Sequence, residues 1–391
     1  MRGDSGQVLR RLPEFYEFFA GGGMARTGLG PGWTCRFAND FDPKKAAAYR
    51  ENFGDAELKV GDVAAVRPAE LPGTADLAWA SFPCQDLSLA GDGAGLKGAR
   101  SGAFYPFWAV IQALAAEARA PTIVALENVC GALTSHEGRD FAAICRTYAE
   151  AGYRAGALVI NAELFLPQSR PRLFVVGARA EAQIPPELLA AAPCAPFHTP
   201  ALQRAVGKLP AELRDDFLWW NLPEPAPRAR ALADVIEEAP EGVAWHTPAE
   251  TARLLAMMSP VNLEKVEAAQ RAGRRMVGGV YRRTRRNHNG AKTQRAEVRF
   301  DEVSGCLRTP AGGSSRQVIM VVEGERVRTR LISARETARL MGLPESYRLP
   351  RNYNEAYHLT GDGVAVDVVR HLARHIFEPI VGEAGRLRDV A

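Results

Sequence analysis

Nowhere in its 391 residues does the chain carry a run of roughly 18 apolar residues, so no membrane helix is expected. Its first residues, MRGDSGQVLRRLPEF, lack the apolar core of a signal peptide, and a cytoplasmic location is the expectation. Cysteine is scarce and scattered. Cys35, Cys84, Cys130, Cys145, Cys194 and Cys306 form no CxxC pair, which argues against a disulfide framework or a zinc site, and no metal is expected. Internal repeats and long low-complexity tracts are also missing, and with 47% hydrophobic and 24% charged residues the composition excludes a disordered, collagenous or coiled-coil protein.

A large net charge is absent too: the formal value is +4, too mild to name a partner. The distribution says more than the sum. Between Arg271 and Arg299 stand Arg271, Arg274, Arg275, Arg282, Arg283, Arg285, Arg286, Lys292, Arg295 and Arg299, opposed only by Glu297. Such a stretch has the size and sign of a polyanion-binding patch, although a solvated basic loop would read the same way.

The first 180 residues alternate apolar runs with helical stretches, the pattern of an α/β domain with a doubly wound, mostly parallel sheet. Phe15 to Phe19, Cys35 to Ala38, Leu77 to Ser81, Ile123 to Glu127, Ala157 to Asn161 and Leu173 to Val176 read as buried strands. Pro43 to Asn52, Gly102 to Ala118 and Phe141 to Ala151 read as helices. From 181 to 300 the texture changes to Pro, Ala and Trp-rich segments and then to the basic stretch, which predicts a second, smaller and irregular domain. Residues 301–391 regain strand and helix signals, with a capped helix from Ser333 to Met341 and another from Gly363 to Ile376, and are expected to complete the first domain.

The unusual residues follow the expected strands, where open α/β sheets bind ligands. Glu17-Phe-Phe-Ala-Gly-Gly-Gly-Met24 is a glycine-rich strand-to-helix turn. The third glycine of a dinucleotide fingerprint is replaced by Arg26, so a pyrophosphate is not the natural guest and a dehydrogenase is disfavoured. Asn39-Asp40-Phe41-Asp42 offers a carboxylate for ribose hydroxyls and an aromatic face for adenine, and Gly61-Asp62-Val63 follows the next segment; together they suggest an adenosine pocket. Ser81-Phe-Pro-Cys-Gln-Asp86 puts Cys84 in a loop after an apolar strand, just before a glycine-rich stretch that could close as a lid, which singles it out among the cysteines as a nucleophile candidate. Glu127, in Leu126-Glu127-Asn128-Val129, ends another strand at the same edge, where burial would raise its pKa and suit it as an acid. Pro167-Gln168-Ser-Arg170-Pro-Arg172 brings two guanidiniums nearby, which by themselves read equally as an ordinary ion pair with Glu127.

In this order the motifs resemble the DNA (cytosine-5) methyltransferase family of bacterial or phage type, dependent on S-adenosylmethionine, and the resemblance spans the chain. It includes the variable stretch after Arg172, the segment Arg299 to Gly313 and a closing Gly361-Asp-Gly-Val364. The resemblance implies an S-adenosylmethionine pocket formed by Phe18, Ala20, Gly21, Gly23, Asp40, Phe41, Asp62, Val63, Pro83, Asp362 and Val364. Cys84 is then the nucleophile, Glu127 engages the target cytosine at N3 and its amino group, and Arg172 with Arg170 fixes base and loop. Gln85, Ser88, Arg282, Arg283, Arg285, Arg286 and Arg299 are the candidate contacts to double-stranded DNA. Glu17 and Asp362 depart from the frequent Asp and Asn of the family, and Phe165-Leu166 precedes Pro167 where an aromatic-Gly pair is frequent.

The family's chemistry explains why these groups are needed. A thiolate added to C6 makes C5 of cytosine electron-rich enough to take a methyl group, an acid at N3 stabilises the charge that develops, and a base within a duplex must first be flipped out. A monomer, stand-alone or accompanied by a restriction endonuclease, is the expectation, located with the nucleoid. Two alternatives stay open: a tRNA cytosine-5 methyltransferase of the same fold, and a non-catalytic DNA-binding member.

Overall fold

The computed structural model describes residues 11–82, 103–286, 292–308 and 316–383. In chain order β1 (Glu14–Phe18), α1 (Met24–Leu29), β2 (Thr34–Asp40), α2 (Pro43–Phe53), β3 (Leu58–Val60), β4 (Leu77–Ala80), α3 (Phe104–Ala116), β5 (Ile123–Val129), α4 (Arg139–Glu150), β6 (Tyr153–Asn161) and β7 (Pro171–Arg179) build the first sheet and its helices. The strand order is β3-β2-β1-β4-β5-β7-β6, with β7 antiparallel to both its neighbours and the remaining pairs parallel. The chain winds outward from β1 in one direction and from β4 in the other, so the topological switch lies between those two strands.

Side-chain alternation along the strands assigns one core to each face of the sheet. Phe15 joins Trp33, Trp79 and Phe377 on one face, whereas Tyr16 and Phe18 join Phe37, Phe107, Trp108 and Tyr148 on the other. Helix α3 is apolar nearly all round and buries Phe104, Phe107, Trp108, Ile111 and Leu114. Each such side chain contributes about 1.5–3 kcal/mol of burial.

The chain continues through α5 (Pro200–Gly207), α6 (Ala211–Asp215), α7 (Leu232–Val235), α8 (Pro248–Ala256), α9 (Pro260–Arg271), β8 (Met276–Arg286), β9 (Lys292–Arg299), β10 (Val318–Glu323) and β11 (Arg326–Leu331). Helices α10 (Ala334–Leu340), α11 (Tyr353–Asp362) and α12 (Val366–Leu372) close it. Two expected boundaries are crossed. Residues after 180 still belong to the first body, because Phe197, Leu218, Trp220, Leu222 and Leu232 fill one core of the first sheet and Leu202, Val206 and Phe217 the other. Conversely β10 and β11, expected to rejoin the first domain, pair in a second, four-stranded sheet of order β11-β10-β8-β9. Composition concealed this: apolar residues of the Pro-rich segment are core residues without periodicity.

The second sheet is covered on one face by α8 and α9 around Leu254, Met258, Val266, Val280, Ala296, Val298, Val318 and Met320. Its opposite face, through Val277, Ile319 and Val321, packs into the core of the first body. A fully buried ion pair, Arg330 Nη2 to Glu336 Oε1 at 2.6 Å, joins β11 to the first turn of α10, where Ser333 and Glu336 form a capping box. Among the described residues no helix is long and apolar enough to cross a membrane.

Candidate active site

The glycine turn after β1 lies at the topological switch. Phe19 adopts a left-handed backbone (φ 56°), a strained conformation for a residue with a Cβ, whereas Gly21 (φ 56°) and Gly23 (φ 74°) take the same region without steric cost as the chain turns out of the sheet. Asp40, at the end of β2, holds this turn: one carboxylate oxygen accepts from the Gly21 N–H at 2.7 Å and the other from the Asp42 N–H at 2.8 Å. A Cβ added at Gly21 would meet nothing within 4 Å, whereas at Gly22 it would strike the Tyr347 hydroxyl and Leu359, so the turn is open at Gly21 and packed behind. Beside it Phe41 is 74% exposed, an aromatic face left in solvent. Asp62 is exposed and accepts from the Ala64 N–H at 2.9 Å, while Ala20, Val63 and Val364 are buried beneath.

Phe18 departs from expectation. It is fully buried between Phe37 and Phe107, with ring centroids 5.6 and 5.0 Å away, because it shares the core-facing side of β1 with Tyr16. Its neighbour Phe19, half-buried, is the aromatic residue of the turn, and its place immediately before Ala20 and the three glycines was the signal available in the sequence. Glu17 is buried as well, and burial pushes its carboxyl up to about 8 even though it accepts from the Arg26 N–H. It therefore serves as a neutral acid beneath the turn at pH 7.

Glu127 and Arg172 come together at the same edge. Because β7 runs antiparallel to β5, its first residues lie beside the last residues of β5, with Val129 opposite Arg172. Arg172 Nε forms an ion pair with Glu127 Oε1 at 3.1 Å, both side chains being largely buried. Asn128 binds the neighbouring strand end: its amide donates to the Phe82 carbonyl at 3.2 Å, where the chain leaves β4. Pro83, Cys84, Gln85 and Ser88 follow that point and lie outside the described residues.

The two other polar residues of the Gln-x-Arg-x-Arg segment clamp the end of the chain to the sheet. Gln168 accepts from the Leu307 N–H and donates to the Leu340 carbonyl. Arg170, 2% exposed, donates to the carbonyls of Leu307 (3.0 Å), Gly361 (2.9 Å) and Gly363 (2.7 Å). Arg170 is thus a positioning residue rather than a group facing a substrate, and Arg172 alone of the two arginines pairs with Glu127. Cys306 sits between them, its sulfur 3.4 Å from Arg170 Nη1 and 3.8 Å from Arg172 Nη2. Burial alone would raise this thiol, but Arg170, Arg172 and Arg308 bring it below its usual value.

The basic stretch folds into the β8–β9 ribbon. Antiparallel partners share a face, so Arg283 and its partner Arg295, Tyr281 and its partner Glu297, and Arg299 opposite Gly279 lie away from α8 and α9, on the side of the sheet turned toward the first body. Tyr281 packs on Gly305, next to Cys306, so this face runs continuously into the Glu127 site. Arg283 pairs with Glu297 at 3.1 Å and Arg299 with Asp301. Arg282 is on the opposite face and lines a cleft of about 590 Å³ with His246, Glu250 and Arg253. The backbones of Arg285 and Arg286 pair with Thr293 and Lys292.

Residues 14–378 match the family model for C-5 cytosine-specific DNA methylases. The chain belongs to that family. Among curated relatives, this methylase is 25% identical over 355 residues to the Type II methyltransferase M.NgoBI of Neisseria gonorrhoeae, covering 90% of this chain and 89% of that one. It is 23% identical over 364 residues to the Type II methyltransferase M.HhaI of Haemophilus parahaemolyticus, covering 93% of both. Among solved structures it resembles S. pombe Dnmt2 methyltransferase (TM-score 0.60, 16% identity, 95% of this chain and 99% of that one). A putative DNA modification methyltransferase encoded within an Escherichia coli prophage is also similar (TM-score 0.56, 14% identity, 95% and 99% covered). These likenesses identify the doubly wound sheet of the methylase as the Rossmann-like methyltransferase fold. The protein is a DNA cytosine-5 methyltransferase by family.

Proposed function

We propose that the protein methylates C5 of a cytosine flipped out of a specific duplex DNA sequence, with Cys84 as nucleophile and S-adenosylmethionine as methyl donor. The observation that supports this most directly is the buried Glu127–Arg172 pair at 3.1 Å, at the sheet edge that also carries the glycine turn and Phe82, the residue before Pro-Cys-Gln in the sequence. The open side of the turn at Gly21, the exposed Phe41 ring and the Asp40 carboxylate fit an adenosine moiety. When bound, S-adenosylmethionine supplies an electrophilic methyl group on a sulfonium sulfur.

The Cys84 thiolate adds to C6 of the flipped base, and the electron pair of the C5–C6 double bond moves into the ring. Glu127 engages N3 and the exocyclic amino group of the base, and stabilising the charge that develops at N3 is worth about 10²–10⁴ in rate. Arg172 holds the Glu127 carboxyl in place through its Nε. C5 of the adduct would then be nucleophilic enough to take the methyl group of a cofactor that the glycine turn, Asp40 and Phe41 would hold. Loss of the C5 proton to water and expulsion of the Cys84 thiolate restore the aromatic ring and the enzyme.

Flipping costs a few kcal/mol, and phosphate contacts from the Arg283, Arg295 and Arg299 face of the β8–β9 ribbon offset it. A stand-alone or restriction-linked role, acting as a monomer in the cytoplasm, completes the proposal. The test is transfer of labelled methyl from S-adenosylmethionine by the purified protein, offered duplex DNA and tRNA in competition. Labelled 5-methylcytosine in DNA is expected; label in tRNA alone would move the substrate to RNA, and label in neither would leave a DNA-binding protein without this activity.

A further inference from the structure

The C-terminal part of the chain is fastened to the glycine turn and the two helices beside it, α1 and α2, at three places. The Tyr347 hydroxyl donates to the Gly22 carbonyl at 2.7 Å. Gly363 lies so close to Met24 that a Cβ there would meet its sulfur at 2.1 Å. The third contact is ionic: Lys45 Nζ, in the first turn of α2, lies 2.6 Å from the carboxylate of Asp362, the last residue of α11. Lys45 stands beside Asp40 and Asp42 as well, and its neighbour Lys44 pairs with Glu355 at the other end of α11 at 3.0 Å. The pair is well ordered from both sides. Arg170 grips the carbonyls of Gly361 and Gly363, on either side of Asp362, and Asp42 caps the α2 terminus that carries Lys45.

We propose that the Lys45–Asp362 ion pair is a latch of the cofactor pocket, joining α2 to the α11 terminus beside the glycine turn and so setting the affinity for S-adenosylmethionine without taking part in methyl transfer. This rests on the reading of the turn as the S-adenosylmethionine site. Lys45 and Asp362 are positioning residues here. Breaking the pair removes the ionic tie between α2 and the α11 terminus, while Arg170 still holds that terminus to the sheet and Lys44–Glu355 still joins the two helices. Part of the cofactor's binding energy is then spent on closing the α2 side of the pocket. The partners are partly shielded, at 22% and 35% side-chain exposure, which places the effect above that of a fully solvated pair.

The test is a double-mutant cycle on the full chain, Lys45→Met, Asp362→Asn and both together, with Lys45→Arg as the charge-retaining control. Binding of S-adenosylhomocysteine by calorimetry is the readout, since it does not depend on turnover, and duplex DNA affinity is measured alongside. Each single substitution is expected to weaken S-adenosylhomocysteine binding by roughly three- to tenfold, and the double variant no further than the worse single one. Lys45→Arg should bind within about twofold of wild type, with DNA affinity unchanged throughout. Weakening by Asp362→Asn but not Lys45→Met would mean that Asp362 acts by direct contact and would overturn the latch, as would additive losses or undiminished binding in both variants. A folded wild-type chain that binds no S-adenosylhomocysteine would overturn the pocket assignment itself, and the latch with it.

Discussion

The Arg170–Arg172 segment and the β8–β9 ribbon of this methylase use arginine in opposite ways. In the first body Arg170 is buried and donates to three backbone carbonyls, and Arg172 pairs with the Glu127 carboxylate, so guanidiniums fix geometry. On the β8–β9 ribbon Arg283, Arg295 and Arg299 stand exposed on one face and their charge is available over a surface, even where a carboxylate is near. A buried arginine specifies position; an exposed row of them collects a polyanion. The contrast teaches that a basic sequence is informative about partners only after its residues have been sorted by burial.

The sharpest break in this contrast is on the catalytic side. Cys84→Ala is expected to abolish methyl transfer and covalent trapping on 5-fluorocytosine DNA while leaving DNA binding intact, and gel analysis of the trapped complex checks it. Glu127→Gln should lower single-turnover transfer by about 10²–10⁴. Arg170→Met should act through the fold instead, costing about 3–5 kcal/mol in denaturant unfolding because buried carbonyls lose their donors.

On the ribbon, Arg283→Ala with Arg295→Ala should weaken DNA binding and flatten its salt dependence by up to about two units of log–log slope. Arg282→Ala, on the opposite face, should change the slope by less; an equal change would erase the distinction between the faces. The smallest effect concerns Glu17. Its carboxyl stays protonated in the folded protein up to about pH 8 against an ordinary value of 4.5, so the unfolded chain loses this proton first and stability falls as pH rises from about 4.5 to 8. Glu17→Gln should remove that slope, gaining up to a few kcal/mol over wild type toward pH 8 in thermal unfolding measured across the range.

The first sheet was legible because its strands are buried on both faces, so they read as continuous apolar runs such as Ile123 to Leu126 and Leu173 to Val176, with the chemistry at their ends. Short β3, Leu58–Val60, has no such run and was not read as a strand. Helix α11 was missed for a related reason: its turns carry Tyr, His, Thr and Gly rather than an apolar stripe, and its burial comes from packing. Glu127 and Arg172 could be paired from motif order, but the different duty of Arg170 could not, since its partners are main-chain carbonyls far along the chain. Phe18 and Phe19 look alike in the sequence, but Phe18 is the last residue of β1 and takes the core face set by its register with β2 and β4, whereas Phe19 already belongs to the turn. Cys306 and Lys45 carry no local signal at all; each matters through a contact more than a hundred residues away.

The most direct measurement is to express the wild type and Cys84→Ala in a bacterial host that lacks cytosine methylation, then map 5-methylcytosine in host DNA at base resolution. The account requires one short sequence motif methylated at a fixed cytosine in wild-type cells and none in Cys84→Ala cells. Methylation that survives in Cys84→Ala cells, or none in either although the wild-type protein is folded and binds S-adenosylhomocysteine, would contradict it.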